Sequence, residues 1–453
     1  MDAAERAARG AQARQRAAAL AGQGVEVVAL TWVDTSGLTR VKAVPVERLE
    51  HAAAWGVGAS PVFDTFLVDD SAVVGGYAGG PVGDLRLHPD LARLTVLAAH
   101  PGWAWAPADR YDQDGAPHPG DARDAARRAV ARLAADGYEV RAAFEVEWCV
   151  SRGDGDGFVP AATGPAYGTG RLAGLADHLR DVVTALRAEG VAVEQIHPEY
   201  AAGQCEVSVA AGSPVAAADT AVLVRETVRA VAARAGLRVT YAPKVLADGV
   251  GNGGHVHLSL WRDGANLFAG GDRRYGTTAA GEAFAAGILD HLPALLALGA
   301  PSVASYLRLI PSHWAGAYRC WGRENREAAL RLVTGAAGER HRAANIEVKC
   351  FDQAANPYLA VAGLLAAGHA GLAAGATLPA PVDVDPATLP AGTVEPLPRD
   401  LAAAVAAFGA DPVPADALGA HLADTVTAVR LGEVALFADA TADEVVARTR
   451  WRW

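Results

Sequence analysis

The chain has 453 residues, 51% of them hydrophobic and 20% charged, enough for a large core and more than one domain. Its formal net charge is −11 and it has no basic run, which argues against nucleic-acid binding as a main role. Val, Leu, Ile and aromatic residues recur throughout, which argues against low-complexity disorder. The first twenty-two residues, MDAAERAARGAQARQRAAALAG, predict a helix charged on one face, without the apolar centre of a signal peptide. VEVVALTWVD (25–34) and TRVKAVPV (39–46), split by TSGL, read as a hairpin. DLRLHPD and RLTVLAA, within 84–99, add short strands and complete a small α+β domain. HPGWAWAPADRYDQDGAPHPGD (100–121) is rich in Pro, Gly and Asp and reads as the domain boundary. The expected division is 1–107 and 108–453.

After the boundary, ARDAARRAVARLAADG (122–137) predicts a helix closed by a glycine. Strands and helices then alternate: YEVRAAFEVEWCVSR, LADHLRDVVTALRAEG, VAVEQIHPE, CEVSVAA, ADTAVLVRETVRAVAARAG, RVTYAPKV and HVHLSLW. This order predicts a curved, mostly antiparallel sheet with helices outside it. DQDG (112–115) and DGDGF (154–158) look like parts of calcium loops but lack the distal bidentate glutamate, so turn chemistry explains both. PALLALGAPSVASYL is interrupted by Gly299 and Pro301, and no membrane partner is expected. Cys149, Cys205, Cys320 and Cys350 form no CxxC pair and read as free thiols of a cytoplasmic protein.

The chemistry begins at FEVEW. Glu145 and Glu147 are two apart in a strand and share a face, while Phe144, Val146 and Trp148 take the other. GHVHLSLW repeats the pattern with His255, His257 and Ser259, and NIEVKCF puts Glu347 among apolar neighbours. HPEYAAGQCEV (197–207) adds Glu199 and Glu206. Five carboxylates and an imidazole converge only around cations, and oxygen-rich ligands suit Mg²⁺ or Mn²⁺. Six such ligands suffice for two ions. SYLRLIPSHWAGAYRCWGRENREAALRLV (305–333) carries Arg308, Arg319, Arg323, Arg326 and Arg331 interleaved with Trp314, Tyr318 and Trp321. Arginines beside divalent ions suit phosphoryl transfer. ADGVGNGGH (247–255) is a glycine-rich loop able to approach a ligand closely, with no Walker lysine.

The two acidic strands, HPE…GQCE, GNGGHVHLSL…DGANLF, SYLRL(I)P, ENREAALR and IEVK…DQAANPYL stand in the order seen in type I glutamine synthetases. The chain resembles that family from about residue 25 onward, most densely over 144–360. The resemblance implies an N-terminal β-grasp domain, a catalytic domain, and double hexameric rings with active sites between subunits. It implies ATP and two or more Mg²⁺ or Mn²⁺ ions per site. By motif, Glu147, Glu199 and Glu206 would hold one ion, and Glu145, His255 and Glu347 the other. Arg308 would grip glutamate, with Gly251 in the covering loop. Arg326 and Arg331 would contact phosphate, and His257 and Ser259 ATP.

Departures from the family pattern sharpen the expectation. Where the family has an FDGSS motif, this chain reads GVGASPVFD (56–64), with Ala59 or a neighbour in the aspartate's place. Where its flap reads GYEAP, this chain reads PSHWAGAY (311–318), with Trp314 in the glutamate's place. The arginine expected two residues after the metal glutamate is Lys349, which keeps the charge without the bidentate fork. The phosphorylation half looks kept and the ammonium site dismantled. The expected activity is therefore ATP-dependent joining of glutamate to a small organic amine, through γ-glutamyl phosphate, with Trp314 lining the amine site. Asp64, His313 or a water would be the base. A true glutamine synthetase, a non-catalytic scaffold and a ligase for another acid remain alternatives.

Overall fold

The computed structural model describes residues 2–453. Two sheets organise it. The first contains β1 (Val27–Val33), β2 (Thr39–Pro45), β3 (Val57–Ala59), β4 (Leu85–Pro89), β5 (Thr95–Val96) and β6 (Trp103–Tyr111). Its order is β2-β1-β6-β4-β3, with β5 also on β6; only β1 and β6 run parallel. Helices Ala3–Ala21 and Leu49–Trp55 close one apolar layer with Val28, Leu30, Leu87 and Ala104.

The second sheet contains β7 (Glu139–Arg152), β8 (Val193–Pro198), β9 (Gln204–Val209), β10 (Leu237–Thr240), β11 (Val256–Arg262), β12 (Ala265–Asn266), β13 (Tyr318–Arg323), β14 (Ala328–Val333) and β15 (Asn345–Val348). Its main order is β13-β14-β15-β11-β7-β9-β8, antiparallel except for β13 with β14. β7 is the spine. Its even-numbered residues, from Val140 to Val150, are buried in two continuous cores. Trp148 is fully buried and its indole N–H reaches His178 Nε2 at 3.3 Å. Burying one large aromatic side chain contributes about 3 kcal/mol.

The 100–121 segment departs from the linker expectation. WAWAPADRY is a largely buried interior strand, and it carries the first sheet past the expected division at 107/108 to Tyr111. Pro107 fits because it lies towards the end of the β1 pairing. The chain then enters helix Ala122–Ala135, capped by Asp121, whose side chain accepts from Arg123 N–H, and closed beyond Asp136 by Gly137 at φ +78°. Arg123 ties the first sheet to helix Pro214–Arg234. Its guanidinium meets Asp109 of β6 at 2.6 Å, Asp90 at 2.7 Å and Asp219 of helix Pro214–Arg234 at 2.8 Å. Tyr358 donates to the same Asp219 at 2.7 Å.

Helices Ala279–Gly299 and Pro357–Ala374 are long and apolar enough to cross a membrane, which the interruption at Gly299 and Pro301 did not suggest. They are mostly buried and pack in one core. Gly287 and Gly371 face each other there: a Cβ on Gly287 would lie 2.7 Å from the Gly371 backbone. All four cysteines are free and buried.

Candidate active site

Register brings the acidic residues together. On β7, Glu145 and Glu147 point away from the core that holds Val146 and Trp148. Glu147 pairs directly with Glu206 of β9, and Glu206 pairs with His197 of β8. Like charges directly opposite on a sheet destabilise it unless something positive intervenes. His257 pairs with Glu347 of β15, and Arg331 of β14 pairs with Glu347 from the other side.

Two clusters result, each with ligand atoms close enough to share one cation. The first is Glu145, His255 and Glu347. His255 Nδ1 lies 2.8 Å from Glu145 and 3.3 Å from Glu347. The second is Glu199, Glu206 and His197, with His197 nitrogens 3.6 Å and 3.5 Å from the two carboxylates. Glu147 stands between the clusters, 3.9 Å from His255, and accepts from Gly253 N–H at 2.7 Å and Gln204 Nε2 at 3.0 Å. Gly253 must lack a side chain: a Cβ would lie 2.5 Å from His255 Nε2 and 2.8 Å from Glu147.

The electrostatics divide in the same way. Burial, with the nearby carboxylates adding to it, pushes Glu147 and Glu206 up to about 7. Burial opposes ionisation of Glu145 and Glu347 too, but is overcome. Hydrogen bonds from His255 and His257 hold Glu145 well below the usual carboxylate range, and Lys349 with the same histidines holds Glu347 down at about 2. Burial and Lys349 push His255 down, although it touches two carboxylates. His257 is raised to about 9 despite burial, by Glu145 foremost. Buried carboxylates and imidazoles at ligand spacing, two of them poorly compensated by cationic side chains, fit hard divalent ions.

Glu145, Glu147, His197, Glu199, Glu206 and His255 wall a cavity of about 520 Å³. Arg308, Arg326, Lys349, Gly251, His313 and Trp314 also line it. Arg308 donates to Lys349 O at 3.0 Å, and its Nη1 has no partner. Lys349 reaches Glu347 at 3.2 Å and Arg331 reaches it at 2.9 Å, just behind the cavity wall. Trp314 sits in the flap at φ +54°, nearly half exposed, with its ring 5.0 Å from that of Tyr200.

Several expected residues lie elsewhere or do something else. His257 is held between Glu145 and Asn345, inside the first cluster. Ser259 is buried and accepts the Trp261 indole N–H at 2.8 Å, away from the cavity lining. Asp64 is not free to act as a base within this chain, because Arg110 holds it in a buried ion pair at 2.6 Å. Arg319 pairs with Glu395, Arg323 stacks on Tyr275, and Trp321 is core, so the run 305–333 does not form one cationic wall. His197, Gln204, Tyr167 and Tyr200 were missed. His197 was legible: with GQ as the start of the return strand, HPE and CEV pair so that His197 opposes Glu206.

An acidic cavity at a sheet, with arginines and a glycine-rich loop lining it, is the equipment a metal-dependent ligase acting on phosphorylated substrates requires. The chain belongs to the glutamine synthetase family: residues 119–448 match the model of the glutamine synthetase catalytic domain. Members of this family use ATP and divalent metal ions. The chain is 60% identical over 442 residues to the gamma-glutamylpolyamine synthetase GlnA3 of Streptomyces coelicolor, covering 96% of this chain and 95% of that one. It is 31% identical to the glutamine synthetase of Halobacterium salinarum, over 91% of each. Among solved structures, a novel glutamine synthase homolog superposes with a TM-score of 0.85 at 34% identity, covering 95% of this chain and 99% of that one. A GmaS–ADP complex superposes at 0.83 and 29% identity, covering 94% and 96%.

Proposed function

We propose that this protein is an ATP-dependent ligase that joins the γ-carboxylate of glutamate to an organic amine, with a polyamine as the preferred acceptor. The observation that carries the reading is the pairing of acidic clusters with an aromatic flap, in which Trp314 lies against Tyr200 at the cavity; by the resemblance, Trp314 would replace the family's flap glutamate. Glu147, Glu199 and Glu206 would hold one divalent ion, with His197 beside them, and Glu145, His255 and Glu347 a second. Bound there, the ions would orient the phosphates of ATP and screen their charge. Arg308 and Lys349 bind the carboxylates of glutamate under Gly251. Arg326 stabilises charge on the transferred phosphoryl group, while Arg331 holds Glu347 from behind the cavity wall. Once γ-glutamyl phosphate has formed, the amine nitrogen attacks its carbonyl carbon and phosphate leaves. His313, at the cavity beside Trp314, is the candidate for taking the proton.

A polyamine suits this cavity. Its alkyl segments can lie along Trp314 and Tyr200, and each ammonium facing a ring gains about 0.5–2 kcal/mol. The charge of −11 favours encounter with a polycation. The test supplies ATP, Mg²⁺ or Mn²⁺, glutamate and one amine at a time: ammonia, ethanolamine, putrescine or spermine. Polyamines should give the fastest phosphate release together with a γ-glutamyl product. Ammonia as the best acceptor would return the protein to glutamine synthesis. Trp314→Ala should raise the KM for the polyamine about 2- to 30-fold, leaving that for glutamate unchanged.

Double hexameric rings with shared active sites, in the cytoplasm, belong to the same proposal. In the segment between β3 and β4, Val74 and Val82 are 78% and 87% exposed, apolar side chains that a neighbouring copy would cover. Light scattering should give a mass many times that of one chain; a monomer would overturn the ring.

A further inference from the structure

A second cavity, of about 400 Å³, shares no lining residue with the acidic cavity. The β1–β2 hairpin, helix Pro214–Arg234, β10 and the final residues Trp451–Trp453 enclose it. Five arginines line it against two side-chain carboxylates, in a chain whose net charge is −11. Three of the five are matched. Arg40 pairs with Asp34 and Asp70, Arg452 with Asp70, and Arg229 with Glu226.

The other two are not. Among the described residues, no carboxylate lies within ion-pair distance of Arg225 or Arg238. Arg238 lies over the Trp451 ring at 3.8 Å and donates only to Gly155 O, at 3.3 Å. Arg225 is only 5% exposed, and its Nε and Nη2 have no hydrogen-bond partner. A buried guanidinium with two idle donors is costly unless something satisfies it. Its remaining nitrogen, Nη1, donates to Gln353 O at 2.8 Å. Gln353 in turn donates from its side chain to Glu145 O at 2.7 Å and Gly253 O at 3.0 Å. One residue therefore links Arg225 to the backbone beneath the first acidic cluster and to the glycine packed against Glu147.

We propose that this cavity is a second binding site, for a small multiply charged anion bearing carboxylate or phosphate groups, and that its occupancy is transmitted to β7 through Gln353. The anion engages Arg238 at the aromatic wall and approaches Arg225, completing the donors that the fold leaves idle. This goes beyond the ligase reading, and its binding test stands or falls without that reading.

The experiment uses the full chain stripped of divalent ions and nucleotide. Arg308, Arg326 and Lys349 of the acidic cavity can also take up an anion, so the loss of binding in the Arg238 and Arg225 variants is what assigns uptake to the arginine cavity. Tricarballylate and inorganic phosphate are titrated separately by calorimetry and by tryptophan fluorescence, since Trp451 and Trp453 line the cavity. Tighter binding of the first assigns a carboxylate ligand, and tighter binding of the second a phosphate ligand. Arg238→Ala and Arg225→Gln should each weaken binding about 10- to 100-fold, while Arg319→Ala, remote and paired with Glu395, should not. Arg238→Ala alone decides the matter if the buried Arg225 variant does not fold. Unchanged affinity in Arg238→Ala, or no binding near physiological ionic strength, overturns the site. A change of oligomeric mass in Arg238→Ala without anion binding would assign the cavity to a carboxylate of a second copy and also overturn it. Hydrogen exchange reads the transmission: amides of 145–147 should become more protected on anion binding in the parent protein and not in Arg225→Gln. Binding without that protection refutes the link through Gln353.

Discussion

Glu347→Gln should lower ATP-dependent phosphate release by at least about 100-fold, since altering even the outer partners of a metal site commonly reduces activity 10- to 100-fold. Glu347 is 1% exposed and is the most heavily compensated group in the site. Arg331, Lys349 and His255 all lie within 3.3 Å of it. Neutralising it removes one ligand of the first cluster and leaves the buried Lys349 ammonium without its carboxylate. Removing one partner of a buried pair typically costs about 3–5 kcal/mol, so the midpoint of denaturant unfolding should also fall. Glu347→Asp, which keeps the charge, should recover part of the stability and little of the turnover. Wild-type turnover in Glu347→Gln would mean that the first cluster holds no ion needed for the reaction.

Divalent-ion affinity should depend steeply on pH up to about 7 and level off above it. Glu147 and Glu206 are raised to about 7, so below that value each must shed a proton before it can bind a cation. Affinity can then change by up to about tenfold per pH unit for each proton released. The same shift has a sign for folding. A carboxyl raised above its ordinary 4.5 favours the native state most below 4.5, and that contribution disappears as the pH rises through 7. Bound metal replaces the protons and should restore the loss. Calorimetry of Mn²⁺ binding in buffers of different ionisation enthalpy measures the protons directly. Release at pH 6.5 that vanishes by pH 8.5 is the expected result, and no release at either pH would contradict the assignment. Glu145 and Glu347 ionise well below this window and should contribute nothing to it.

The parts of this site legible in sequence are those governed by local periodicity. Alternation in FEVEW put Glu145 and Glu147 on one face because Phe144, Val146 and Trp148 must occupy the other. The same rule grouped His255 with His257. It could not say that Ser259, two residues further on, leaves the cavity for the Trp261 indole, because that depends on where the neighbouring strands end. Composition misled at 100–121: Pro and Gly at its margins hid WAWAPADRY, whose place in the sheet is set by pairing with distant β1 and β4. In the run 305–333, β13 and β14 send its arginines to different surroundings. Asp64 looked available only because its partner, Arg110, comes from a different element.

The two long apolar helices have a consequence for how the molecule is made. Helix 279–299 leaves the ribosome before helix 357–374 has been translated. At about 5–20 residues per second the delay is on the order of 10 seconds. During it, a segment apolar enough for a lipid bilayer lacks the long helix it packs against in the native core. Nascent chains of this protein therefore present, for a short and defined interval, the kind of surface that holdase chaperones and membrane-targeting factors compete to bind.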